Sequence, residues 1–338
     1  MKIKYLVIRF SSIGDIILTS PVVRCLKNQV EGAEVHFVTK RKYAGLIMNN
    51  PYIHKVHVLS GNLNKLIAEL QEEHFDYIID LHHNFRTARL KTRLNIPAFT
   101  FKKLNIEKYL MVNFKINRLP QKHIVDRYLE TLSVFDVEND GKGLDFFIPE
   151  NKGLQKKNLP EPFHNGYVAF AIAATWDTKK LPADMVSDIC NRINHPVILL
   201  GGKSEQEAGE KIHSLSKGNV LNLTGKINLN QSASLVREAN LVLTNDTGLM
   251  HIAAAFKKKI LSFWGNTIPA FGMTPYLAHP VSEMMEVKGL RCRPCSKLGY
   301  RKCPKKHFRC MKEQDMKKAI DWIEQHFDEN FKIITRNK

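Results

Sequence analysis

Short apolar runs alternate with segments of helical spacing along this chain, and that alternation constrains its fold more than any other feature. The run at 4–10 is rich in strand-forming residues, a polar loop follows it, and residues 16–30 then carry apolar side chains at helical spacing. Further strand candidates lie at 34–38 and 76–81. Strands separated by helices are typical of a parallel sheet covered by helices, so the sequence predicts an α/β fold.

The same pattern starts again after a break at residues 149–166. Three prolines, two glycines and a Lys-Lys pair in this segment are typical of a linker. The strand candidates of the second half are 167–172, 196–202, 239–244 and 259–264. We therefore predict two α/β halves of similar size, with ligands at the carboxyl ends of their strands, where loop amides and helix N-termini converge.

Composition fits a folded protein of about two domains, since domains average roughly 150 residues. The chain has 338 residues, 43% of them hydrophobic, and a formal net charge of +18. This charge predicts an anionic partner, which could be nucleic acid, acidic lipid or a phosphorylated substrate. No helix-turn-helix, zinc-finger or RNA-recognition pattern is present, so we expect no nucleic-acid partner.

The N-terminal apolar run is short and is interrupted by Arg9 and by the pair Gly14-Asp15. No apolar run approaches the 18 or more residues that a membrane span needs. We interpret the N-terminus as part of the fold and not as a leader. The expectation is a cytoplasmic protein.

The loop 11–15 follows the first strand and carries the sequence Ser-Ser-Ile-Gly-Asp. Asp15 is a candidate general base pointing towards a ligand, with Gly14 giving access. The alternative is that Asp15 is only a favourable negative charge at a helix N-terminus. The sequence contains no Gly-x-Gly-x-x-Gly or Walker motif here.

Two motifs follow strands of the second half. In 244–251, Asp246 and Thr247 can cap a helix, while Gly248 would let a phosphate approach free amides; a merely well-capped helix is the alternative. In 175–182, Lys179 could reach a diphosphate, or the pair Lys179-Lys180 could simply be solvated.

The order of these motifs resembles glycosyltransferase family nine, the bacterial heptosyltransferases of lipopolysaccharide core synthesis. The motifs are S-S-I-G-D, T-x-D-x-K-x-x-P, N-D-T-G-x-x-H-I-A-A-A and F-W-G-N-T, and the resemblance runs from about Ile3 to Met311. It implies a GT-B fold, which has two Rossmann-like doubly wound domains facing a central cleft. It also implies an inverting glycosyltransferase that needs no metal or other cofactor for catalysis.

The resemblance assigns parts to the domains. Residues 1–155 would bind the acceptor, and residues 156–311 would bind the nucleotide sugar and include a Cys-rich loop at 290–311. Residues 312–338 contain apolar residues at helical spacing, and by analogy this helix would cross back to the first domain.

Site residues follow from the same resemblance. Asp15 would be the base and Lys179 the group that stabilises the leaving diphosphate. The donor-binding candidates are Thr175, Lys179, Thr224, Gly225, Lys226, Ile227, Asp246, Thr247, Gly248 and His251. The acceptor-binding candidates are Ser12, Gly14, Asn84, Arg86 and Thr87. A helix-packing role is an alternative for His251, and we expect no metal at His82-His83 because adjacent side chains of an extended chain point apart.

The activity implied is transfer of heptose, from a donor such as ADP-heptose, to a lipopolysaccharide core or lipid A acceptor. The enzyme would work at the cytoplasmic face of the inner membrane, in peripheral contact with it. A protein O-heptosyltransferase is one alternative, and the Cys-rich loop favours it. A non-catalytic sugar- or nucleotide-binding module is another, although the presence of Asp15, Lys179 and Asp246 argues against it.

Four of the six cysteines lie close together in the sequence: Cys292, Cys295, Cys303 and Cys310. This spacing suits a structural zinc or iron ion with no open ligand position. Disulfides or free thiols are the alternatives. Related protein heptosyltransferases hold iron with four cysteines, which the resemblance makes relevant here.

The positive charge is concentrated in two segments. Residues 84–127 contain 11 Lys and Arg against 2 Asp and Glu, and residues 288–318 contain 12 against 2. The rest of the chain is therefore close to neutral. This distribution suits docking on an anionic glycolipid or on an anionic membrane face.

Overall fold

The computed structural model describes residues 2–327, and these form two compact units. Unit 1 comprises the residues up to Phe147 except Ile106–Leu119. Unit 2 comprises Ile106–Leu119 together with the residues from Ile148 onwards. Each unit is built on one parallel β-sheet covered by helices, as the alternating pattern predicts.

Unit 1 has a five-stranded sheet in the order β3-β2-β1-β4-β5. β1 lies in the centre, because its residues from Tyr5 to Ile8 are buried and can pack on both faces. The strands are β1 (Ile3–Ile8), β2 (Ala33–Lys40), β3 (Lys55–Leu59), β4 (Tyr77–Asp80) and β5 (Ala98–Thr100). The α-helices in this part of the sequence are α1 (Ile13–Ile17), α2 (Ser20–Gln29), α3 (Leu63–Gln71), α4 (Phe85–Leu94), α5 (Asn105–Phe114) and α6 (Ile124–Leu129).

The predicted helix at 16–30 is two helices in the structure, because Pro21 cannot lie in a helix interior. α1 ends at Ile17, and α2 begins at Ser20 with Pro21 in its first turn, where the missing amide hydrogen costs no helical bond. Short 3₁₀ helices complete unit 1 at Arg41–Leu46 and Glu130–Phe135.

Unit 2 has a six-stranded sheet in the order β11-β10-β9-β6-β7-β8. The strands are β6 (Val168–Ala171), β7 (Val197–Leu200), β8 (Val220–Asn222), β9 (Leu241–Asn245), β10 (Lys259–Trp264) and β11 (Glu283–Glu286). The α-helices are α7 (Ala183–Arg192), α8 (Gln206–Leu215), α9 (Leu229–Glu238), α10 (Gly248–Ala255), α11 (Arg309–Lys312) and α12 (Met316–Phe327). The described part of unit 2 also contains five short 3₁₀ helices: Lys156–Asn158, Glu161–Phe163, Asp177–Lys179, Lys203–Glu205 and Pro269–Phe271.

Two helical segments belong to unit 2 in ways that the sequence analysis did not foresee. Ile106–Leu119, which includes most of α5, groups with unit 2 although it lies within the predicted first domain, and Lys115 Nζ donates to Pro294 O at 2.6 Å. α12 places Ala319 and Ile323 in the core of unit 2. The expected return of the C-terminal segment to the first domain stays a prediction, and residues 328–338 lie outside the described residues.

Among residues 2–327, no helix combines the length and the hydropathy that crossing a bilayer requires.

The strand order reverses once in each sheet, between β1 and β4 in unit 1 and between β6 and β9 in unit 2. In doubly wound sheets, ligands bind outside the carboxyl ends of the strands at such a switch point. Four charged residues lie at or shortly after the carboxyl ends of these strands: Asp15 in α1, Asp80 as the last residue of β4, Lys179 in a 3₁₀ helix after β6, and Asp246 directly after β9. The fold therefore concentrates the predicted chemistry at the two switch points.

Candidate functional site

Asp15 is held at the switch point of unit 1 by three contacts. Its Oδ1 lies 2.6 Å from Arg9 Nη2, while its Oδ2 accepts hydrogen bonds from Ser12 N at 3.0 Å and Ser12 Oγ at 2.7 Å. The Ser12–Asp15 pair is the capping box of α1. Asp15 is therefore a negative charge at the start of α1 and also a carboxylate near the end of β1. The two interpretations offered by the sequence, a helix-terminal charge and a candidate base, do not exclude each other.

These contacts set the charge of the carboxylate. Burial by itself raises the pKa of Asp15, but the Arg9 guanidinium and the two Ser12 hydrogen bonds outweigh it and lower the pKa to about 2. Asp15 is consequently ionised at neutral pH. Such a carboxylate can accept a proton, but it is a weak base for as long as the Arg9 contact persists.

Arg9 is a residue of this site that sequence reasoning missed. Its Nε donates to Ser11 O at 2.7 Å, its Nη1 donates to Leu81 O, and its guanidinium lies 5.8 Å from the centre of the Tyr128 ring. It thus ties the loop after β1 to the loop after β4. The available signal was a single charged residue at the end of a buried apolar strand.

The loop after β4 is organised by Asp80, which is fully buried. Asp80 Oδ1 accepts hydrogen bonds from the amides of His82 and His83, and its Oδ2 lies 3.0 Å from Lys91 Nζ. Burial and the nearby Arg9 lower the pKa of His82 to about 4. His82 is therefore neutral at physiological pH, next to the ionised Asp15.

The predicted acceptor residues of α4 differ in whether their side chains are free to contact a ligand. Asn84 caps α4 through bonds to the amides of Arg86 and Thr87, and the buried Thr87 side chain completes the capping box. Asn84 and Thr87 therefore shape the helix start, while Arg86 is exposed. Phe85, which the sequence analysis did not single out, is 96% exposed at the same helix start.

Ser12 and Gly14 were also predicted on the acceptor side. Ser12 is exposed and Gly14 is buried in α1. Their binding roles stay predictions. The observed contacts of Ser12, which occupies the N-cap position of α1, hold Asp15 through its amide and hydroxyl.

Lys179 and Asp246 meet at the switch point of unit 2. Lys179 Nζ lies 2.5 Å from Asp246 Oδ2, and Thr267 Oγ1 donates to the same oxygen at 3.0 Å. Lys179 is in the 3₁₀ helix after β6, Asp246 follows β9 and Thr267 follows β10. Three strand ends thus bring together one cation, one anion and one hydroxyl.

The helix start beside this pair has no side-chain cap. Thr247 occupies the N-cap position of α10 but makes no capping hydrogen bond, and Asp246 faces Lys179 and Thr267 instead. The expectation that these two side chains cap the helix is therefore wrong. The amides at Gly248 and beyond gain no partner from these side chains, which is the arrangement that receives a phosphate. His251 is buried within the same helix.

The neighbouring lysine has a different role. Lys180 Nζ lies 3.0 Å from Asp177 Oδ1 and 3.1 Å from Glu205 Oε1, so it joins the loops after β6 and β7. Burial lowers the pKa of Lys180, but these two carboxylates raise it above its ordinary value. Only Lys179 of the pair meets Asp246, while Thr175 is exposed.

The segment Thr224–Ile227 follows β8 and packs against the loop after β7. Thr224 is buried, and its amide and hydroxyl both donate to Asn222 Oδ1. Gly225 has φ +70°, and a Cβ there would lie 3.3 Å from Lys203 Cα, so this position favours glycine. Lys226 is exposed.

The Cys-rich loop supports the Lys179–Asp246 pair through one arginine. Arg293 donates to Gly265 O at 2.6 Å and to Thr267 O at 2.9 Å, and it lies 2.8 Å from Glu286. Thr267 in turn holds Asp246. The same loop contacts Thr178, whose hydroxyl accepts a hydrogen bond from Tyr300 N at 2.8 Å.

Among residues 2–327, the cysteines of this loop form no disulfide bond. Cys292 Sγ lies 3.7 Å from His307 Nε2, and burial together with the neighbouring thiols raises the pKa of Cys295. Burial also raises the pKa of Cys310, to about 11. Four sulfurs and one imidazole suit zinc or iron by donor type. Within residues 2–327, however, no three of these five ligand atoms lie within 4.8 Å of one another.

Sequence comparison gives an independent view of the chain. The model of the family described as "Glycosyltransferase family 9 (heptosyltransferase)" matches residues 63–308. The lipooligosaccharide heptosyltransferase 2 of Campylobacter jejuni is 24% identical over 318 residues, which cover 91% of this chain and 93% of that protein.

Solved structures with the same fold span almost the whole chain. The ADP-heptose lps heptosyltransferase II of Escherichia coli has a TM-score of 0.73 at 19% identity, over 98% of this chain and 99% of that one. The iron-containing dodecameric heptosyltransferase TibC, solved in complex with ADP-D-β-D-heptose, has a TM-score of 0.58 at 12% identity, over 96% of this chain and 77% of that one. These similarities confirm the predicted GT-B fold.

Proposed function

The chain belongs to glycosyltransferase family 9, as its motifs predicted, and on that premise we propose that it transfers heptose from ADP-heptose to a lipopolysaccharide core or lipid A acceptor, with inversion. The names of its relatives support this choice of donor and acceptor. The observation that carries the proposal is the Lys179–Asp246–Thr267 cluster beside the start of α10, which Thr247 leaves without a side-chain cap.

Negative charge on the leaving diphosphate is the main demand of this reaction. The bond between the anomeric carbon and the diphosphate oxygen breaks, and ADP departs with the electron pair. Lys179 and the first amides of α10 would stabilise that charge without a metal ion. Asp246, which accepts a hydrogen bond from Thr267, positions the ammonium of Lys179 beforehand.

The proton released by the acceptor needs a base, and Asp15 is our candidate. The acceptor hydroxyl oxygen forms the new bond to the anomeric carbon, and its proton moves to a carboxylate oxygen of Asp15. An acceptor that displaces Arg9 from Oδ1 would remove the largest favourable contribution to the ionised form, so it would raise the pKa of Asp15. The base would then strengthen when the acceptor binds.

Thermal stabilisation and transfer test the proposal together. We expect ADP-heptose to raise the melting temperature of the protein more than ADP-glucose does, and we expect heptose transfer to Kdo-lipid A. If ADP-heptose stabilises the protein but no heptose is transferred, the proposed donor is supported and the proposed acceptor is wrong. If no nucleotide sugar stabilises the protein or is turned over, the proposed activity is wrong.

A protein O-heptosyltransferase is the second candidate, because of the Cys-rich loop. TibC, which shares the fold, is described as iron-containing. Incubation of the enzyme with ADP-heptose and a serine-rich polypeptide, beside Kdo-lipid A, separates the two acceptors. Labelling of the polypeptide alone would favour the second candidate.

We also propose that the Cys-rich loop holds a structural zinc or iron ion through Cys292, Cys295, Cys303 and Cys310. The donor types support this, although the sulfurs would have to move closer together to bind an ion. Metal analysis of the native protein should find about one equivalent more than metal analysis of Cys295→Ser. Lys180→Gln is a control that should keep the metal.

Membrane contact forms a further part of the proposal, and the exposed face of α5 supports it. Ile106, Tyr109, Phe114 and Ile116 are 74%, 60%, 60% and 47% exposed, and α5 buries none of its residues. Nearby, Lys115 contacts Pro294 of the strongly basic Cys-rich loop. Apolar side chains beside basic ones suit the surface of an anionic bilayer.

The Cys-rich loop also contains a basic cavity of about 520 Å³ whose lining includes Lys288, Arg291, Lys305, His307 and Arg309. A lipid phosphate suits such a cavity. We expect co-sedimentation with vesicles containing phosphatidylglycerol and not with neutral vesicles. Tyr109→Ser with Phe114→Ser should weaken binding several-fold, and Met48→Ser, at another exposed apolar side chain, should not. Equal binding by all variants would remove α5 from the proposal.

A further inference from the structure

We propose that unit 1 contains a binding site for a transition-metal ion such as Zn²⁺, formed by Glu34, His36 and His54. Glu34 and His36 are on β2, and His54 immediately precedes β3. These residues lie towards the amino ends of the two strands, whereas Asp15 and Asp80 lie at the carboxyl-end side of the sheet. The site is therefore separate from the residues proposed for heptose transfer.

The three ligand atoms already have the spacing of a metal site. Glu34 Oε1 lies 3.1 Å from His36 Nε2 and 3.6 Å from His54 Nε2, and all three atoms lie within 4.8 Å of one another. Bonds of about 2.0–2.1 Å in a tetrahedral zinc site place ligand atoms roughly 3.3 Å apart. The two observed distances lie on either side of that value.

The hydrogen bonds behind the site orient His36 for metal binding. His57 Nδ1 lies 2.8 Å from Glu69 Oε1, and because a carboxylate only accepts, His57 Nδ1 must donate. In a neutral imidazole, His57 Nε2 then accepts, so His36 Nδ1, 3.0 Å away, must donate to it. The series Glu69–His57–His36 is the carboxylate–histidine support that metal-binding histidines commonly have.

This series leaves a place for a cation. When His36 is neutral and Nδ1 carries the hydrogen, Nε2 presents a lone pair to Glu34 Oε1, which is also only an acceptor. Two acceptors 3.1 Å apart attract a positive centre between them. His36 and His57 are 1% and 0% exposed, so water competes little for this position.

A second group of potential ligands lies nearby but is less suitable. His36 Nδ1, His57 Nε2 and Glu73 Oε1 also lie within 4.8 Å of one another. A metal there would break the hydrogen bond between the two imidazoles, and Glu73 already pairs with Lys55. At the proposed site, Lys2 competes only for Glu34 Oε2, at 3.2 Å, and its side chain is 77% exposed.

The exposure of His54 gives the ion a way in and leaves room for a fourth ligand. The His54 side chain is 58% exposed, and its amide is fixed to β2 by a bond to Val35 O at 2.8 Å. Two imidazoles, one carboxylate and an open position suit Zn²⁺ or Co²⁺. The bound ion would fasten the start of β3 to β2.

Cobalt substitution in the metal-depleted, untagged full-length protein tests the site, because it distinguishes imidazole and carboxylate ligands from thiolates. We expect one equivalent of Co²⁺ to give visible d–d absorption without thiolate charge transfer, in addition to any signal from the Cys-rich loop. Zinc titration should displace it. His54→Asn and Glu34→Gln should each weaken binding at least tenfold, and Glu69→Gln should weaken it about 10–100-fold.

His74→Asn is the matched control, because His74 is an exposed histidine of the same unit and should bind as the wild type does. Circular dichroism of His54→Asn, a surface change, verifies folding. The proposal is overturned if cobalt gives only thiolate charge transfer, or if both ligand variants titrate like wild type. Nitrogen NMR is a further test: if both ring nitrogens of His36 are protonated and their signals do not change with Zn²⁺, a proton occupies the position between His36 Nε2 and Glu34 Oε1. That result would also reject the metal site.

Discussion

Each switch point of this enzyme holds an aspartate and a cation, but the two pairs are built differently. In unit 1, Arg9 directly follows β1 and Asp15 lies in the helix α1 that comes next, and the guanidinium is fixed by further bonds to Ser11 O and Leu81 O. In unit 2, Lys179 and Asp246 come from different strand ends, and the ammonium is a single point charge. Arginine offers several fixed donors where lysine offers one compact charge.

The difference indicates different uses of the two pairs. The Arg9 contact keeps Asp15 ionised with a pKa of about 2, which suits a carboxylate that is released only when another group takes its place. Lys179 can turn from Asp246 towards an incoming diphosphate with little rearrangement, because only one contact is exchanged. The first pair is thus a restrained base, and the second is a movable counter-charge.

Asp15→Asn should have the largest effect on the rate, because it removes the proposed base of unit 1 and leaves the Lys179–Asp246 pair of unit 2 unchanged. The amide cannot accept the proton of the acceptor, so we expect kcat to fall by about 10²–10⁴-fold while binding of the donor remains. Steady-state transfer and donor titration measure the two effects. Asp136→Asn, at an exposed aspartate of the same unit, is the control; retention of full activity by Asp15→Asn would remove Asp15 from the mechanism.

Lys179→Met should have the next largest effect, because it removes the charge proposed to stabilise the diphosphate. We expect kcat to fall by about 10²–10³-fold. Lys180→Met is the matched neighbour: loss of its contacts with Asp177 and Glu205 should lower the melting temperature and change kcat little. Reversal of this order would mean that the wrong lysine has been assigned.

Thr267→Val tests whether the Cys-rich loop acts on the site through Asp246. The variant loses one hydrogen bond to the carboxylate but keeps the backbone carbonyl that Arg293 contacts. A bond to a charged group contributes about 1.5–3 kcal/mol, so kcat/KM should fall roughly tenfold or more. Thr274→Val serves for comparison. If kcat/KM of Thr267→Val is unchanged, the Cys-rich loop does not act on the donor site through Asp246.

Arg9→Lys should give the smallest change at neutral pH and a clear change in acid. A lysine cannot reproduce the guanidinium contacts, so the pKa of Asp15 should rise towards about 3.9, its ordinary value. The acid limb of kcat/KM should move to higher pH and become measurable below about pH 5. Arg89→Lys is the control and should keep the wild-type pH dependence of kcat/KM. If Arg9→Lys and the wild type have the same pH dependence, Arg9 does not lower the pKa of Asp15 as proposed.

The sign of the stability effect follows from the same pKa. Because folding lowers the pKa of Asp15, its ionised form stabilises the fold above about pH 4, and this contribution disappears as the pH falls to about 2. Urea unfolding of the wild type and Arg9→Lys should therefore differ most near neutral pH and converge in acid.

Much of the fold was accessible from local patterns. The apolar runs predicted the central strands, and glycine and proline marked the break between the halves. Two features differ from the prediction. Pro21 divides one predicted helix in two, which is a local effect that the apolar spacing alone does not report. Ile106–Leu119 groups with unit 2 although it lies in the first half of the sequence. Sequence spacing does not report which unit a connecting helix joins.

The candidate site divides in the same way. The motifs identified Asp15, Lys179 and Asp246, because each lies in a connecting segment that follows a strand. Arg9 was missed, since a charged residue ending an apolar run has no local signature of its partners. The roles of Asn84 and Thr87 in the capping box also became visible only once α4 had a defined start.

The sequence by itself determined the alternation of strands and helices, the family, and the residues that follow each strand. The tertiary structure decided which of them meet: Lys179 and not Lys180 faces Asp246, Arg9 restrains Asp15, and His54 approaches Glu34 of the neighbouring strand. The physical reason is that periodicity depends on residues a few positions apart. Pairing of charges at strand ends depends on strand order, which brings together Lys179 and Asp246 from 67 positions apart.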